Sequence, residues 1–234
     1  MPQAMFDLPQ ITVPVAGTEL CFPVRRIYCV GRNYAAHARE MGSDPDREAP
    51  FFFQKPPDAI QLAPPCTTVD HPYPPLTRDY HYEVELVVAI GKGGRNIPVA
   101  DALGHVAGYA VGLDMTRRDL QGLMKEQRKP WEIGKAFDHG AIIGPLHRVT
   151  AVGHLNKGAI TLSVNGVIKQ HSDLSMMIWS VAEQIAHLSA YDALQPGDLI
   201  YAGTPENVGP VVPGDLMLAH IDGLHDISIK VVAQ

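Results

Sequence analysis

The chain has few cysteines, no basic run and no long apolar stretch, and each shortage removes a class of protein. Its three cysteines, Cys21, Cys29 and Cys66, are odd in number and form no CxxC pair. That argues against a disulfide framework and against a zinc clip. The net charge is −6 with no cluster of Lys or Arg, so the electrostatic footprint of a nucleic-acid binder is missing. No apolar run approaches the ~20 residues of a membrane-spanning helix, and no basic segment followed by an apolar one opens the chain. The expectation is a cytoplasmic protein whose partner is a small molecule, with neither nucleic acid nor membrane involved. What is present is ordinary globular composition, 46% hydrophobic and 19% charged over 234 residues. This is enough for one large domain with a real core.

The most informative stretch is His81-Tyr82-Glu83-Val84-Glu85-Leu86-Val87-Val88-Ala89-Ile90, which is β-branched, apolar and stopped by Gly91-Lys92-Gly93-Gly94. It reads as a strand. Side chains two apart on a strand share a face, so Glu83 and Glu85 point the same way as Val87 and Ala89, while Val84, Leu86, Val88 and Ile90 line the other side. Such a strand is buried on both faces apart from two adjacent carboxylates. These repel and are costly to desolvate, and a divalent cation relieves both penalties. A Glu-x-Glu pair alone also fits a solvated face. A third acid, Asp114, ends the apolar run that begins at Val106. Three carboxylates with no Cys or His at ligand spacing make a hard oxygen site suited to Mg²⁺ or Mn²⁺, less to Ca²⁺ and least to Zn²⁺.

Residues 1–25 read as an N-terminal arm with two short strands, and 26–234 as a single catalytic domain with a lid segment at 31–60. Within the lid, Asn33 is a fair N-cap for a helix through Glu40 closed by Gly42. On that helix His37 and Glu40 are three apart and therefore neighbours. A carboxylate beside an imidazole holds one tautomer and raises its basicity, as a general base needs, although an isolated HxxE is more often a surface ion pair. Residues 43–79 are proline-rich, either a structured wrap or a mobile flap. A helix over 119–127 breaks at Pro130-Trp131, and 131–138 reads as a loop or short strand carrying a lone Lys135. The second half looks architectural. It holds a hairpin on Asn165-Gly166, a helix over 176–188 capped by Ser175, and strands at 198–202, 216–220 and 227–232. The loop 203–209 lacks the GK[ST] ending of a Walker loop.

GRNYAAHAREMG at 31–42, HYEVEL at 81–86, GLDMTRRDLQ at 112–121, KAFD at 135–138 and GTPENVG at 203–209 together resemble the fumarylacetoacetate hydrolase family. The likeness is greatest to its small acylpyruvate hydrolase branch, and the Pro-Trp-Glu-x-x-Lys-Ala-Phe-Asp stretch is similar to fumarylpyruvate hydrolases of gentisate breakdown. The resemblance implies an α+β, β-rich fold, a mixed β-sandwich roll, in a homodimer. It implies Mg²⁺ or Mn²⁺ on Glu83, Glu85 and Asp114, and a catalytic dyad of His37 and Glu40 on a lid helix. Polar groups over the substrate would be Arg118, Gln121, Lys135 and Thr204, with Arg118 a carboxylate clamp for either end of the substrate. The implied reaction is metal-dependent hydrolysis of a 2,4-diketo acid, fumarylpyruvate to fumarate and pyruvate. Lys135 and Gln121 would stabilise the oxyanion or protonate the leaving enolate. Oxaloacetate decarboxylation, isomerisation of 2-hydroxyhepta-2,4-diene-1,7-dioate and a non-catalytic binding module are the alternatives on the same residues. His81 and Tyr82 depart from the family pattern, which often has His directly before the first Glu.

Overall fold

Alternation of side chains along two long strands decides the architecture. Val84–Ile90 and Val106–Asp114 pair antiparallel, and every residue of the first is buried. Val84, Leu86, Val88 and Ile90 enter one core, and Val87 and Ala89 enter another on the opposite face. The computed structural model, which describes residues 5–40 and 48–234, sets this pair at the centre of an eight-stranded mixed sheet. Its main path runs Phe51–Lys55, Arg26–Gly31, Asp198–Tyr201, Val84–Ile90, Val106–Asp114, Ala141–Ile143 and Ile60–Leu62.

A five-stranded sheet covers one face, in the order Val167–Asp173, Ala159–Val164, Leu216–Ile221, Ile227–Val232 and Thr68–Pro72. Its inward residues, among them Ile160, Leu162, Met217 and Ile229, complete the larger core. The Asn165-Gly166 turn has φ of 52° and 78°, the left-handed pair a tight two-residue hairpin requires. On the other face the hairpin of Thr12–Pro14 and Cys21–Pro23 lays Val13, Val15 and Val24 into the second core. The expected β-rich sandwich roll is therefore the fold. No helix among the described residues is long and apolar enough to cross a membrane.

Four local readings are corrected. The acidic strand is broken at Glu83: Tyr80–Tyr82 leaves the large sheet and joins Thr116–Arg117 and Gly209–Pro210 in a small one. The helix expected at 176–188 runs Val181–Tyr191, because Ser180 and Glu183 form a reciprocal capping box that Ser175 cannot match. Asp173 instead caps a short turn at Leu174–Met176. Residues Glu132–Lys135 form one helical turn rather than a loop or short strand. Asn33 precedes helix Ala35–Glu40 without capping it. Its side chain accepts from Trp179 N at 2.7 Å and donates to Trp179 O at 2.9 Å and Ala202 O at 2.8 Å. The helix end expected at Gly42 lies outside the described residues.

Candidate active site

Glu85 and Asp114 emerge on the face of the large sheet that carries Val87, Ala89 and Ala110, and the break at Glu83 brings the third acid to the same spot. One oxygen from each of Glu83, Glu85 and Asp114 lies within 4.8 Å of the others, and all three residues are buried. The strand-to-strand register explains this: Val84 sits opposite Leu113 and Glu85 opposite Gly112, so Asp114 faces the break itself, where its N–H donates to Glu83 O at 2.9 Å.

Cations surround two of the acids. Lys135 Nζ donates to Glu83 Oε2 and to Asp114 Oδ2, each at 2.9 Å. Arg118 donates to Glu83 Oε1, to Gln121 Oε1 at 2.6 Å and to His81 Nδ1 at 3.3 Å. Thr116 Oγ1 adds a bond to Glu83 at 3.0 Å. Burial pushes the Glu83 carboxyl up, but Lys135 and Arg118 overcome it and leave the group below the usual carboxylate range. Burial also opposes the charge of Lys135, and Asp114 and Glu83 outweigh it, so its pKa is raised.

Glu85 is different. Among the described residues its only hydrogen-bond donor is Gly203 N, at 2.8 Å. Gly203 sits at φ 98°, a backbone that turns the N–H inward and suits glycine. Burial, then Asp114 and Glu83, drive the Glu85 carboxyl well above its ordinary value. A fully buried acid with two acidic neighbours and no ion pair among the described residues is what a hard divalent ion would relieve. The three residues fit Mg²⁺ or Mn²⁺.

His37 and Glu40 are paired as the helix spacing predicts, Nδ1 to Oε2 at 3.1 Å, and Asn207 N donates to the same oxygen at 3.1 Å. Burial opposes the Glu40 charge, and the His37 bond prevails, holding the carboxyl below its usual range. His37 is buried while Glu40 stays partly exposed. The helix therefore turns its imidazole inward.

A cleft open at its mouth is lined by His37, Glu83, Glu85, Arg118, Gln121, Lys135 and Thr204. Asp114 lies behind Lys135, and Glu40 behind His37. Thr204 Oγ1 accepts from Gln170 Nε2 at 2.9 Å, and Gln170 Oε1 accepts from Val84 N at 3.0 Å. That backbone N–H is freed by the strand break, so a hairpin residue read as architecture braces both the acidic strand and the Thr204 loop. Lys55 was also missed. Wholly buried, it lies 2.8 Å from Asp114 Oδ1 and donates to Met115 O at 3.0 Å and to Lys135 O. Its signal was a lysine closing an aromatic strand, Phe51-Phe52-Phe53-Gln54-Lys55, before Pro56-Pro57.

Fold and site together define a class: a β-roll that gathers three buried carboxylates for a divalent cation beside a His–Glu pair. The chain belongs to the fumarylacetoacetate hydrolase family, whose C-terminal-domain model matches residues 26–232. It is 46% identical over 193 residues to a fumarylpyruvate hydrolase of a Ralstonia species, covering 82% of this chain and 98% of that one. It is 39% identical over 207 residues to a human mitochondrial oxaloacetate tautomerase, covering 88% and 91%. The crystal structure of fumarylpyruvate hydrolase from Pseudomonas aeruginosa, in complex with Mn²⁺ and pyruvate, superposes with a TM-score of 0.98. Its sequence identity is 55%, over 99% of this chain and 100% of that one.

Proposed function

We propose that the protein hydrolyses acylpyruvates, fumarylpyruvate first among them, to pyruvate and the corresponding acid. The observation that carries this is the juxtaposition in one cleft of a buried acid triad, with Glu85 uncompensated, and a His37–Glu40 pair able to activate water. The likeness to fumarylpyruvate hydrolases at 46% and 55% identity supports the choice of substrate. An Mg²⁺ or Mn²⁺ ion on Glu83, Glu85 and Asp114 supplies Lewis-acid and template chemistry when bound.

The chain's own residues do the rest. His37 Nε2 removes a proton from water while Glu40 holds Nδ1 and stabilises the imidazolium, a role that contributes typically ~10²–10⁴-fold. The water oxygen adds to the C4 carbonyl, whose developing charge faces the Lys135 ammonium and the Gln121 amide. The C3–C4 bond then breaks, its electron pair leaves on C3 as pyruvate enolate, and a proton delivered to C3 completes pyruvate. Lys135, kept charged by Glu83 and Asp114, is placed to deliver it. Arg118, already bonded to Gln121 beside Glu83, would hold the pyruvoyl carboxylate, and the Thr204 hydroxyl would complete that pocket.

Loss of the ultraviolet enol absorbance of fumarylpyruvate tests the proposal. Loss should stop with chelator, return with Mg²⁺ or Mn²⁺, and fall about 10²–10⁴-fold in His37→Ala. Full turnover by that variant would reject His37 as the base. A second reading is oxaloacetate tautomerisation, favoured by relatives of that activity at 37–40% identity. It requires no water activation, so inertness toward fumarylpyruvate with turnover of oxaloacetate would select it. We also infer a homodimer, in keeping with Val167, Ile168, Leu216 and Leu218 exposed on the outer sheet. Light scattering should give twice the chain mass.

A further inference from the structure

At the inner end of the cleft Arg118 is bonded to Glu83, Gln121 and His81, and Arg117 turns away, its guanidinium 4.4 Å over the Phe137 ring. Neither can follow a long acyl group outward. A continuous aromatic wall does lead outward. Lys135 Nζ lies 5.0 Å over the Phe53 ring, Phe53 lies 5.9 Å from Trp131, and Trp131 meets Phe51 edge-on at 5.4 Å. The wall ends at Arg32, whose guanidinium sits 5.5 Å from the Phe51 centroid. All of these residues line the same cleft.

Two backbone features hold this outer end. Gly31 has no side chain, and a Cβ there would fall inside the Phe51 ring, so the ring can lie flat against the strand that delivers Arg32. Arg32 itself is at φ 58°, a left-handed conformation uncommon outside glycine and asparagine. It directs the side chain over Phe51 instead of along the strand.

Phe51 and Phe53 share one face of strand Phe51–Lys55 and so stand about 7 Å apart along it. In an extended fumarylpyruvate, five C–C bonds of about 1.5 Å separate C2 from the terminal carboxylate, a span of roughly 6–7 Å once bond angles are included. The two spacings agree. With the pyruvoyl end beside Lys135 and Phe53, the flat conjugated acyl chain would run along the aromatic wall and bring its terminal carboxylate to Phe51 and Arg32. A guanidinium is the side chain best matched to a carboxylate, and one resting on an aromatic face is partly desolvated and pre-oriented.

We propose that Arg32, seated on Phe51, binds the distal carboxylate of the substrate and sets a preference for unsaturated dicarboxylic acylpyruvates over neutral-tailed ones such as acetylpyruvate. This rests on the acylpyruvate reading above and assigns the outer end of that site.

The experiment compares fumarylpyruvate with acetylpyruvate in wild type, Arg32→Asn, Arg32→Lys and, as a control on the exposed cation at the mouth, Lys125→Ala. Asn tolerates the left-handed backbone, so Arg32→Asn removes the charge without new strain. The kcat/KM ratio of fumarylpyruvate over acetylpyruvate should fall about 10- to 100-fold in Arg32→Asn, less in Arg32→Lys, and little in Lys125→Ala. An unchanged ratio in Arg32→Asn, or a larger fall in Lys125→Ala, overturns the assignment. The same two compounds are titrated calorimetrically into Mn²⁺-loaded His37→Ala, with and without Arg32→Asn. If wild type hydrolyses neither compound, the function proposed above fails, and the titrations still decide: an Arg32-dependent preference for fumarylpyruvate sustains the subsite, and equal affinities remove it.

Discussion

Glu85 carries two opposed demands, and its substitution separates them. In the metal-free protein it is a buried acid beside two others, its carboxyl pushed well above the ordinary range by burial, Asp114 and Glu83. Glu85→Gln removes that repulsion and keeps an oxygen for the Gly203 N–H. The variant should be more stable than wild type in chelator by about 1 kcal/mol, a rise of about 2–4 °C in Tm. With Mn²⁺ the order should reverse, and calorimetry should show affinity weakened at least about 100-fold. A variant that melts lower than wild type in chelator would show that Glu85 is compensated in some other way. Lys55 teaches a related lesson. Its place at the end of an aromatic strand does not say which group it will meet, and folding puts its ammonium against Asp114 and two backbone carbonyls.

At the scale of elements, the helix Val181–Tyr191 owes its start to Ser180, whose hydroxyl accepts from Glu183 N while Glu183 Oε2 accepts from Ser180 N. Ser180→Ala should cost about 1 kcal/mol in denaturant unfolding with the m-value unchanged. Ser175→Ala should cost less, since Asp173, not Ser175, supplies the cap of its turn. The pattern Ser-x-x-Glu was present to be read; the Met176-Met177-Ile178 run drew the helix start forward because it matched a helical stripe. In the structure Met176 is 62% exposed. The individual strands, the hairpin turn and the short helix bearing His37 were legible because each depends on residues only two to four apart. The break at Glu83 was not, because a continuous strand pattern carries no sign that its first residues belong to another sheet.

For the whole molecule, His71 ties the three large pieces together. It lies in the five-stranded sheet, and its ring nitrogens meet Gln61 of the large sheet at 2.5 Å and Tyr80 of the small sheet at 2.6 Å. Burial, with His139 adding to it, lowers its pKa from 6.5 to about 4. The unfolded chain therefore binds a proton between pH 6.5 and 4 that the folded chain refuses, so stability is full above pH 6.5 and falls as pH drops toward 4. A shift of this size corresponds to about 3 kcal/mol across that window. Denaturant unfolding should show a shallower pH dependence there for His71→Gln than for wild type. Parallel curves would mean that His71 stays neutral in the unfolded chain as well, or is charged in both.

What the sequence alone determined is whatever short-range periodicity and residue chemistry dictate: a β-rich fold, the closely spaced acids Glu83 and Glu85, Asp114 at a strand end, and His37 beside Glu40. The order of motifs along the chain added the family. Only the tertiary structure decided that Lys55 and Gln170 brace the acids, that Arg118 is held at the inner end, and that Phe53, Trp131, Phe51 and Arg32 form one wall. These contacts join residues up to 86 positions apart, as between Val84 and Gln170. The physical reason is that burial and charge compensation are properties of a packed site, and no local pattern records which distant group will close it.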